Sequence, residues 1–402
     1  MKILVANIGS TSFKFRLFDF AGGQRELAAG GIDRIGGAGG TLTFALTGRD
    51  PVRRGCACAD HGEAVRAAMD EMAAASVLAD AADLSAVAFK AITAGEADPV
   101  AIVDDAILAA MERLAPIAPA HNPPYVAAMR RFRDMLPDTP LVAAFEPGFH
   151  QTIPRRRRLY ACPPAWESEF GIRRYGYHGA SLRYIAERTA ELSAGKARRI
   201  VACHLGGSSS LCAIRDGQSV ATTMGYSAQS GLPQGTRCGD FDPFALAIVA
   251  AETGKTLDAM LAELAGEAGL AAMGGVGADM RDIESAAEAG DDRARLTIDV
   301  YVTAIRDYLG AYLVELGGAD AIVFTGGIGQ NSPLIRERVC KGLDFAGIAL
   351  DDGKNAAAEG ECRIDRDGSP TAIWVMPTNE EKIVSRLAAE LLGSQKGGSE
   401  DE

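Results

Sequence analysis

The sequence predicts an α/β protein made of two related halves, and three observations carry that expectation. Short apolar strands alternate with helical stretches along the whole chain. A strand–turn–strand unit with a Gly/Ser/Thr bend opens the chain and recurs in its second half. At 402 residues the chain exceeds one ordinary core and suits two domains.

The first unit runs from Met1 to Phe18. Ile3, Leu4, Val5 and Ala6 fit a strand buried on both faces, and Phe13, Phe15 and Leu17 alternate with wetter positions in a second strand. Between them Asn7, Gly9, Ser10, Thr11 and Ser12 form a bend whose short side chains let backbone N–H groups approach a phosphate. Ile200 to Ile214 repeats the order, with His204 opposite Asn7, Gly206 opposite Gly9 and Ser209 opposite Ser12.

Residues 23–60 read as strands and loops extending the first sheet. Gly62–Ala82 reads as a helix, Ala86–Phe89 as a strand ending at Lys90, and Asp104–Leu114 as a helix. Four prolines between Ala115 and Pro124 break regular structure and hold His121 and Asn122 in a rigid loop. Tyr125–Met135 returns to helix, Leu141–Phe145 is an apolar strand, and Glu146–Pro154 marks the passage between domains. Beyond it come a helix at Ser181–Glu191 and a glycine-punctuated loop, Met224–Pro243. Helices follow at Phe244–Thr253, Leu257–Ala265 and Ala294–Leu316, then a strand at Asp320–Phe324. Ser394–Glu402, rich in Gly, Ser and acid, reads as disordered.

A net charge of −12 argues against an extended nucleic-acid surface or an anionic membrane partner. There is no basic leader and no apolar run of ~18 residues, so a cytoplasmic location is expected. The eight scattered cysteines read as reduced thiols. Arg155–Arg158, in an acidic chain, reads as a solvated loop or a set of carboxylate partners.

In Gly231–Pro243 three glycines surround Arg237 and two aspartates. Arg237 is either a solvated cation or a clamp whose fork pairs with phosphate oxygens. His121, His150, His178 and His204 each sit beside Gly, Pro or a strand end, which points to a shared cleft. Nothing has the spacing of a zinc site or a Walker loop.

Taken together, the motifs resemble the acetate kinase family, the acetate/propionate-type carboxylate kinases. They are Asn7-Ile-Gly-Ser-Thr-Ser-Phe-Lys14, His121-Asn-Pro123, Phe149–Pro154, Arg173-Arg-Tyr-Gly-Tyr-His-Gly179, His204-Leu-Gly206, Gly235–Pro243, Asp279-Met-Arg-Asp282, Thr325–Ser332 and Thr378-Asn-Glu-Glu381. The resemblance implies two duplicated actin-like (ribonuclease H-like) ATPase domains around an interdomain cleft. Residues 1–147 plus 381–402 would form the first; residues 148–380, with the nucleotide pocket and dimer interface, the second. It implies reversible transfer of a phosphoryl group from ATP to acetate, propionate or a related short-chain acid, giving an acyl phosphate and ADP. Domain closure would exclude water, and the enzyme would be a cytoplasmic homodimer.

The resemblance also implies site residues. Arg237 would clamp the transferring group with His178 beside it, and Lys90, Glu146 and His121 would complete the catalytic set. Asn7 and Glu380 would organise Mg²⁺, with Mn²⁺ as a substitute. Ser10, Ser12, Lys14, His204, Gly206, Gly207 and Ser208 would hold phosphates, and Asp279, Met280, Arg281, Gly327, Ile328 and Asn331 the adenosine. Ile92, Ala120, Tyr177 and Ala228 would line the acyl pocket.

The chain departs from the family at several of these positions. Lys90 stands where the family has Arg, Glu146 where it has Asp, and Gly207-Ser208 where it has Asn-Gly. In the acyl pocket Ala120 replaces Leu, Tyr177 replaces Phe and Ala228 replaces Pro, which implies a roomier, more polar pocket. Two consequences stay open: a kinase retuned toward a different acid, or a weakened paralog with a regulatory nucleotide-binding role.

Overall fold

The structure is a computed structural model and describes residues 1–9, 11–37, 39–118 and 121–397. The chain separates into two units, Met1–Gly148 joined by the segment from Asn379 onward, and Phe149–Thr378. Glu380 groups with the first unit.

In the first unit, β1 (Lys2–Gly9), β2 (Ser12–Asp19), β3 (Arg25–Asp33), β4 (Thr41–Leu46) and β5 (Val52–Gly55) form an antiparallel meander. β6 (Leu84–Ala91) pairs in parallel with β1, β7 (Val100–Ile102) lies at the edge, and β8 (Leu141–Phe145) pairs in parallel with β6. The sheet order is β5-β4-β3-β2-β1-β6-β8-β7. As expected for a strand covered on both sides, Ile3, Leu4, Val5 and Ala6 are fully buried. Leu4, Ala6 and Ile8 join the core beneath α1 (His61–Ala74), α2 (Asp105–Arg113) and α3 (Asn122–Met135). That core includes Phe89 and Phe132, whose rings meet edge to face at 5.3 Å. The C-terminal helix Glu380–Gly397 packs on β1, β6 and β8 and buries Ile383, Val384 and Ala388.

The second unit begins with α4 (Arg155–Arg158), α5 (Pro164–Phe170) and α6 (Gly179–Leu192). Its sheet contains β9 (Arg199–His204), β10 (Ser210–Arg215), β11 (Gln218–Thr222), β12 (Ala321–Thr325), β13 (Cys362–Arg363) and β14 (Ala372–Val375), in the order β11-β10-β9-β12-β14-β13. Between β11 and β12 lie α7 (Ala245–Thr253), α8 (Leu257–Gly266), α9 (Gly269–Gly274), α10 (Met280–Glu288) and α11 (Asp292–Leu316). After β12 come α12 (Gly326–Asn331), α13 (Pro333–Cys340) and α14 (Asp352–Ala356), and the first-unit helix Glu380–Gly397 is α15. α11 buries Ile298, Tyr301, Ile305, Leu309, Tyr312 and Leu316, a three-and-four spacing that keeps one stripe on the sheet. Asp291 caps its start through the N–H groups of Arg293 and Ala294.

The two sheets share one plan. β3-β2-β1-β6-β8 and β11-β10-β9-β12-β14 each comprise an antiparallel three-strand meander continued by two parallel strands. This is the duplicated actin-like architecture. The bends differ, since β1 and β2 close at Gly9 opposite Ser12, whereas β9 and β10 close at His204 opposite Ser210.

Local expectations needed correction in three places. The first helix stops at Ala74 rather than Ala82, because Ser76 turns to φ +57° and the N–H groups of Ser76 and Val77 fold back on Ala73 and Met72. That turn drops Leu78 into the core. α3 begins at Asn122, not Tyr125, since Pro123 and Pro124 occupy a first turn whose N–H groups need no intrahelical partner. Ser394–Gly397 continue the C-terminal helix, while 398–402 lie outside the described residues. Arg155–Arg157 do find carboxylates: Glu167 for Arg155, and Glu315 for Arg156 and Arg157. All eight cysteines are free thiols. Among the described residues no helix is long and apolar enough to cross a membrane.

Candidate functional site

In the first unit, five polar side chains from five segments of the chain meet. Asn7 lies near the end of β1, Tyr125 in α3, Lys90 in β6, Glu146 directly after β8, and Glu380 starts α15. The Tyr125 hydroxyl donates to Asn7 Oδ1 at 3.1 Å. Burial pushes that hydroxyl up to about 12, against the opposing Lys90 charge, so it remains a donor. The Lys90 ammonium makes a close ion pair with Glu380 and stands 3.8 Å from Glu146 Oε1. Burial works against its charge, but Glu380 and Glu146 reverse that, and the net direction is upward. Lys90 is therefore a cation already matched by two carboxylates.

The bend between β1 and β2 depends on Gly9, because a Cβ there would lie 2.4 Å from Ser12 Oγ. Lys14 is exposed and pairs opposite Asn7. His61, which the sequence did not single out, holds the bend, its Nε2 lying 2.9 Å from the Gly9 carbonyl. His121 is the N-cap residue of α3, and its carbonyl accepts from the Tyr125 N–H. Its neighbour Asn122 is structural, donating to the carbonyls of Thr93 and Met111 at 3.0 and 2.8 Å. Ile92 follows β6, two residues past Lys90. Ser10 and Ala120 lie outside the described residues.

In the second unit, the loop around Arg237 is pinned at both ends. Gly231 N–H donates to Asp240 Oδ1 at 2.8 Å, and the Gly231 carbonyl accepts from Asp240 N–H. Gly269, at φ +65°, lets α9 press on the loop, since a Cβ there would lie 2.2 Å from the Gln234 carbonyl. Arg237 Nη1 meets Ser208 Oγ at 3.2 Å, Gln234 Oε1 at 3.1 Å and the Ala228 carbonyl at 3.5 Å. All three are neutral. Among the described residues no carboxylate pairs with Arg237, and burial alone pulls its pKa below the ordinary value. A half-buried guanidinium without a counter-ion attracts an anion.

His178 and His204 stack with ring centroids 4.1 Å apart. His178 Nδ1 contacts Ser210 Oγ and His204 Nδ1 contacts Ser181 Oγ, each at 2.8 Å. His178 sits at φ +60° before α6, a left-handed conformation uncommon outside glycine. His150 departs from the shared-cleft expectation. It is 1% exposed, its Nε2 faces the Tyr177 carbonyl and its Nδ1 faces Ser219 Oγ, so it is a satisfied core residue. Burial pulls it down to about 4. The Tyr177 hydroxyl donates to the Tyr226 carbonyl at 2.7 Å.

A cavity of about 830 Å³ in this unit brings together Gly206, Gly207, Asp279, Met280, Arg281, Gly327, Ile328 and Asn331. His204 and Ser208 do not line it. Asp279 caps α10 and pairs with Arg281, whose hydrogen bonds hold its carboxyl at about 2. Glu284 and Ser332, hydrogen-bonded to each other, also line the cavity and were not anticipated. Ser332 ends the Thr325–Ser332 motif and Glu284 lies two residues beyond Asp279-Met-Arg-Asp282, but neither was singled out as a site residue.

The sequence pattern of the Acetokinase family matches residues 2–386. The acetate kinase of Shouchella clausii is 37% identical over 389 residues, covering 96% of this chain and 98% of that protein. That of Carboxydothermus hydrogenoformans is 36% identical, covering 98% and 99%. Among solved structures, Porphyromonas gingivalis acetate kinase superposes with a TM-score of 0.85 at 31% identity, covering 97% and 99% of the two chains. A propionate kinase from Francisella tularensis does so with a TM-score of 0.86 at 28% identity, covering 95% and 97%.

Proposed function

The chain belongs to the acetokinase family and phosphorylates a carboxylate with ATP, and from that premise we propose acetate, propionate or a related short-chain acid as the acceptor. A carboxylate is ionised at neutral pH, so no general base is required. One of its oxygens attacks the γ-phosphorus of ATP, the bond to the β-phosphate oxygen breaks, and ADP and an acyl phosphate result. The transferring group carries spread negative charge, and the protein's task is to position it and offset that charge.

The uncompensated charge of Arg237 is the observation that carries this assignment. Its fork binds phosphoryl oxygens while Gln234 and Ser208 hold it in place. His178, held at Nδ1 by Ser210, is the second residue assigned to the transferring group. The adenosine occupies the 830 Å³ cavity, a volume in the range of small-molecule sites. Lys90 and Glu146 act as a matched pair.

Asn7 and Glu380 offer an amide oxygen and a carboxylate, a donor set suited to Mg²⁺, which takes oxygen ligands and completes its shell with phosphates and water. Bound Mg²⁺ would neutralise charge on the nucleotide phosphates. Lys90 adds a fixed positive charge beside Glu380.

A homodimer is supported by α7 and α8. α7 buries none of its residues, and Phe244, Ile248, Leu257 and Leu261 are all exposed. Eight free thiols suit a reducing, cytoplasmic compartment.

The test is a hydroxylamine trap with Mg-ATP and a panel of acetate, propionate, butyrate and their 2-hydroxy derivatives. Hydroxamate from one or more short acids is expected. No hydroxamate from any of them at high enzyme concentration contradicts the proposal.

A further inference from the structure

The Phe149–Thr378 unit contains a second cavity, of about 440 Å³, which shares no lining residue with the nucleotide cavity. Its polar lining includes Arg156, Arg157, Arg174, Tyr308, Tyr312 and Glu315. Three guanidiniums line it against one lining carboxylate, Glu315, so the lining is net positive in a chain whose net charge is −12.

The existing contacts leave that excess in place. Glu315 is in close contact with Arg157 and lies 3.7 Å from Arg156. Arg174 donates to the carbonyls of Thr223 and Met224 at 2.9 and 3.2 Å and lies over the Tyr160 ring. Among the described residues no carboxylate pairs with Arg174. The Tyr308 hydroxyl is committed to Asp240.

Tyr312 is the independent observation. It lies one turn beyond Tyr308 on α11, is 2% exposed, and its hydroxyl has no hydrogen-bond partner. A buried hydroxyl left unpaired costs stability, and such groups usually mark a missing partner. Arg174 and Arg157 lie close enough for their charges to act on that hydroxyl, yet burial dominates and keeps it protonated, hence a donor. A donor without an acceptor, beside guanidiniums in excess, fits an incoming anion.

We propose that this cavity binds a small dianion, of the phosphate or dicarboxylate type, through Arg156, Arg157 and Arg174, with the Tyr312 hydroxyl donating to it. At about 440 Å³ the cavity is smaller than the 830 Å³ nucleotide cavity and has ample room for a small dianion. The site is separate from the residues assigned to phosphoryl transfer, so its occupancy would be additional to turnover.

Calorimetric titration of the full chain, saturated with Mg-ADP, tests this with inorganic phosphate and malonate as the two probes. One site per chain for at least one probe is expected, and the probe that binds identifies the type. Binding should persist in Arg237→Gln and weaken roughly tenfold in Tyr312→Phe and in Arg156→Gln. Tyr312→Phe removes only an unpartnered hydroxyl, so the fold and carboxylate turnover should be kept. Failure of both probes to bind would overturn the proposal. So would binding that Arg237→Gln abolishes while Tyr312→Phe and Arg156→Gln leave it intact.

Discussion

Lys90 Nζ stands 3.8 Å from Glu146 Oε1. The resemblance identified in the sequence puts Arg and Asp at these two positions, so the cation has become shorter and the acid one methylene longer. The two changes act in opposite directions on the reach of the pair. The pair therefore argues for a retained ionic function. Lys90→Arg and Glu146→Asp should each lower kcat on their own, and the double variant should recover much of the loss. A coupling of about 1 kcal/mol or more is expected in a double-mutant cycle on kcat. Additive losses would show that the two positions act independently.

Lys90 also makes a statement about alkaline stability. Its folded pKa is raised, so its contribution is complete below the unfolded value of about 10.4 and declines only as pH climbs past it. Removing the ammonium in Lys90→Met leaves Glu146 and Glu380 without their shared cation. Loss on the order of 3 kcal/mol is expected in urea unfolding at pH 7, and equal stability in the two proteins would refute the pairing.

His150 contributes to stability on the acid side. Its folded pKa is depressed to about 4, so the unfolded chain takes up its proton first as pH falls below about 6.5. Stability is complete above that pH and lost on the way down through 4, by about 3 kcal/mol in total. His150→Gln should flatten the pH dependence of urea unfolding by about one proton over that window. An identical slope in both proteins would show that His150 is not the group responsible.

Ser210 fixes the ring of His178 through Nδ1 at 2.8 Å. Ser210→Ala should reduce kcat about tenfold with little change in the KM for ATP, and Ser210→Thr should restore it. A matching loss of KM without a kcat effect would assign Ser210 to binding instead.

The proposed homodimer rests on the exposed faces of α7 and α8. The chain weighs 42.0 kDa, and light scattering should find twice that mass. Phe244→Ser with Ile248→Glu should return it to a single chain. A monomeric unmodified protein would remove the basis for the proposed interface.

Much of the architecture was legible because local chemistry and fold agree. Leu141–Phe145 forms the expected strand at the expected residues, and Asp104 caps the helix that its position suggested. The prolines at 123 and 124 misled, since in a first turn they start a helix that they would break elsewhere. The adenosine cavity was readable as motif, yet Glu284 joins it through a hydrogen bond to Ser332, which no local pattern encodes. Likewise the Lys90 ion pair with Glu380 joins β6 to α15, far apart in the chain. Tyr177 could be identified as a hydroxyl, but its direction depends on Tyr226 in another loop.

The most direct test of the central claim is acyl hydroxamate formation from Mg-ATP and the best short acid by Arg237→Gln beside the unmodified protein. Arg237 meets only neutral acceptors, so the fold and ATP affinity should be kept while kcat falls on the order of a hundredfold. Turnover within tenfold of the unmodified protein would contradict its role as the phosphoryl clamp.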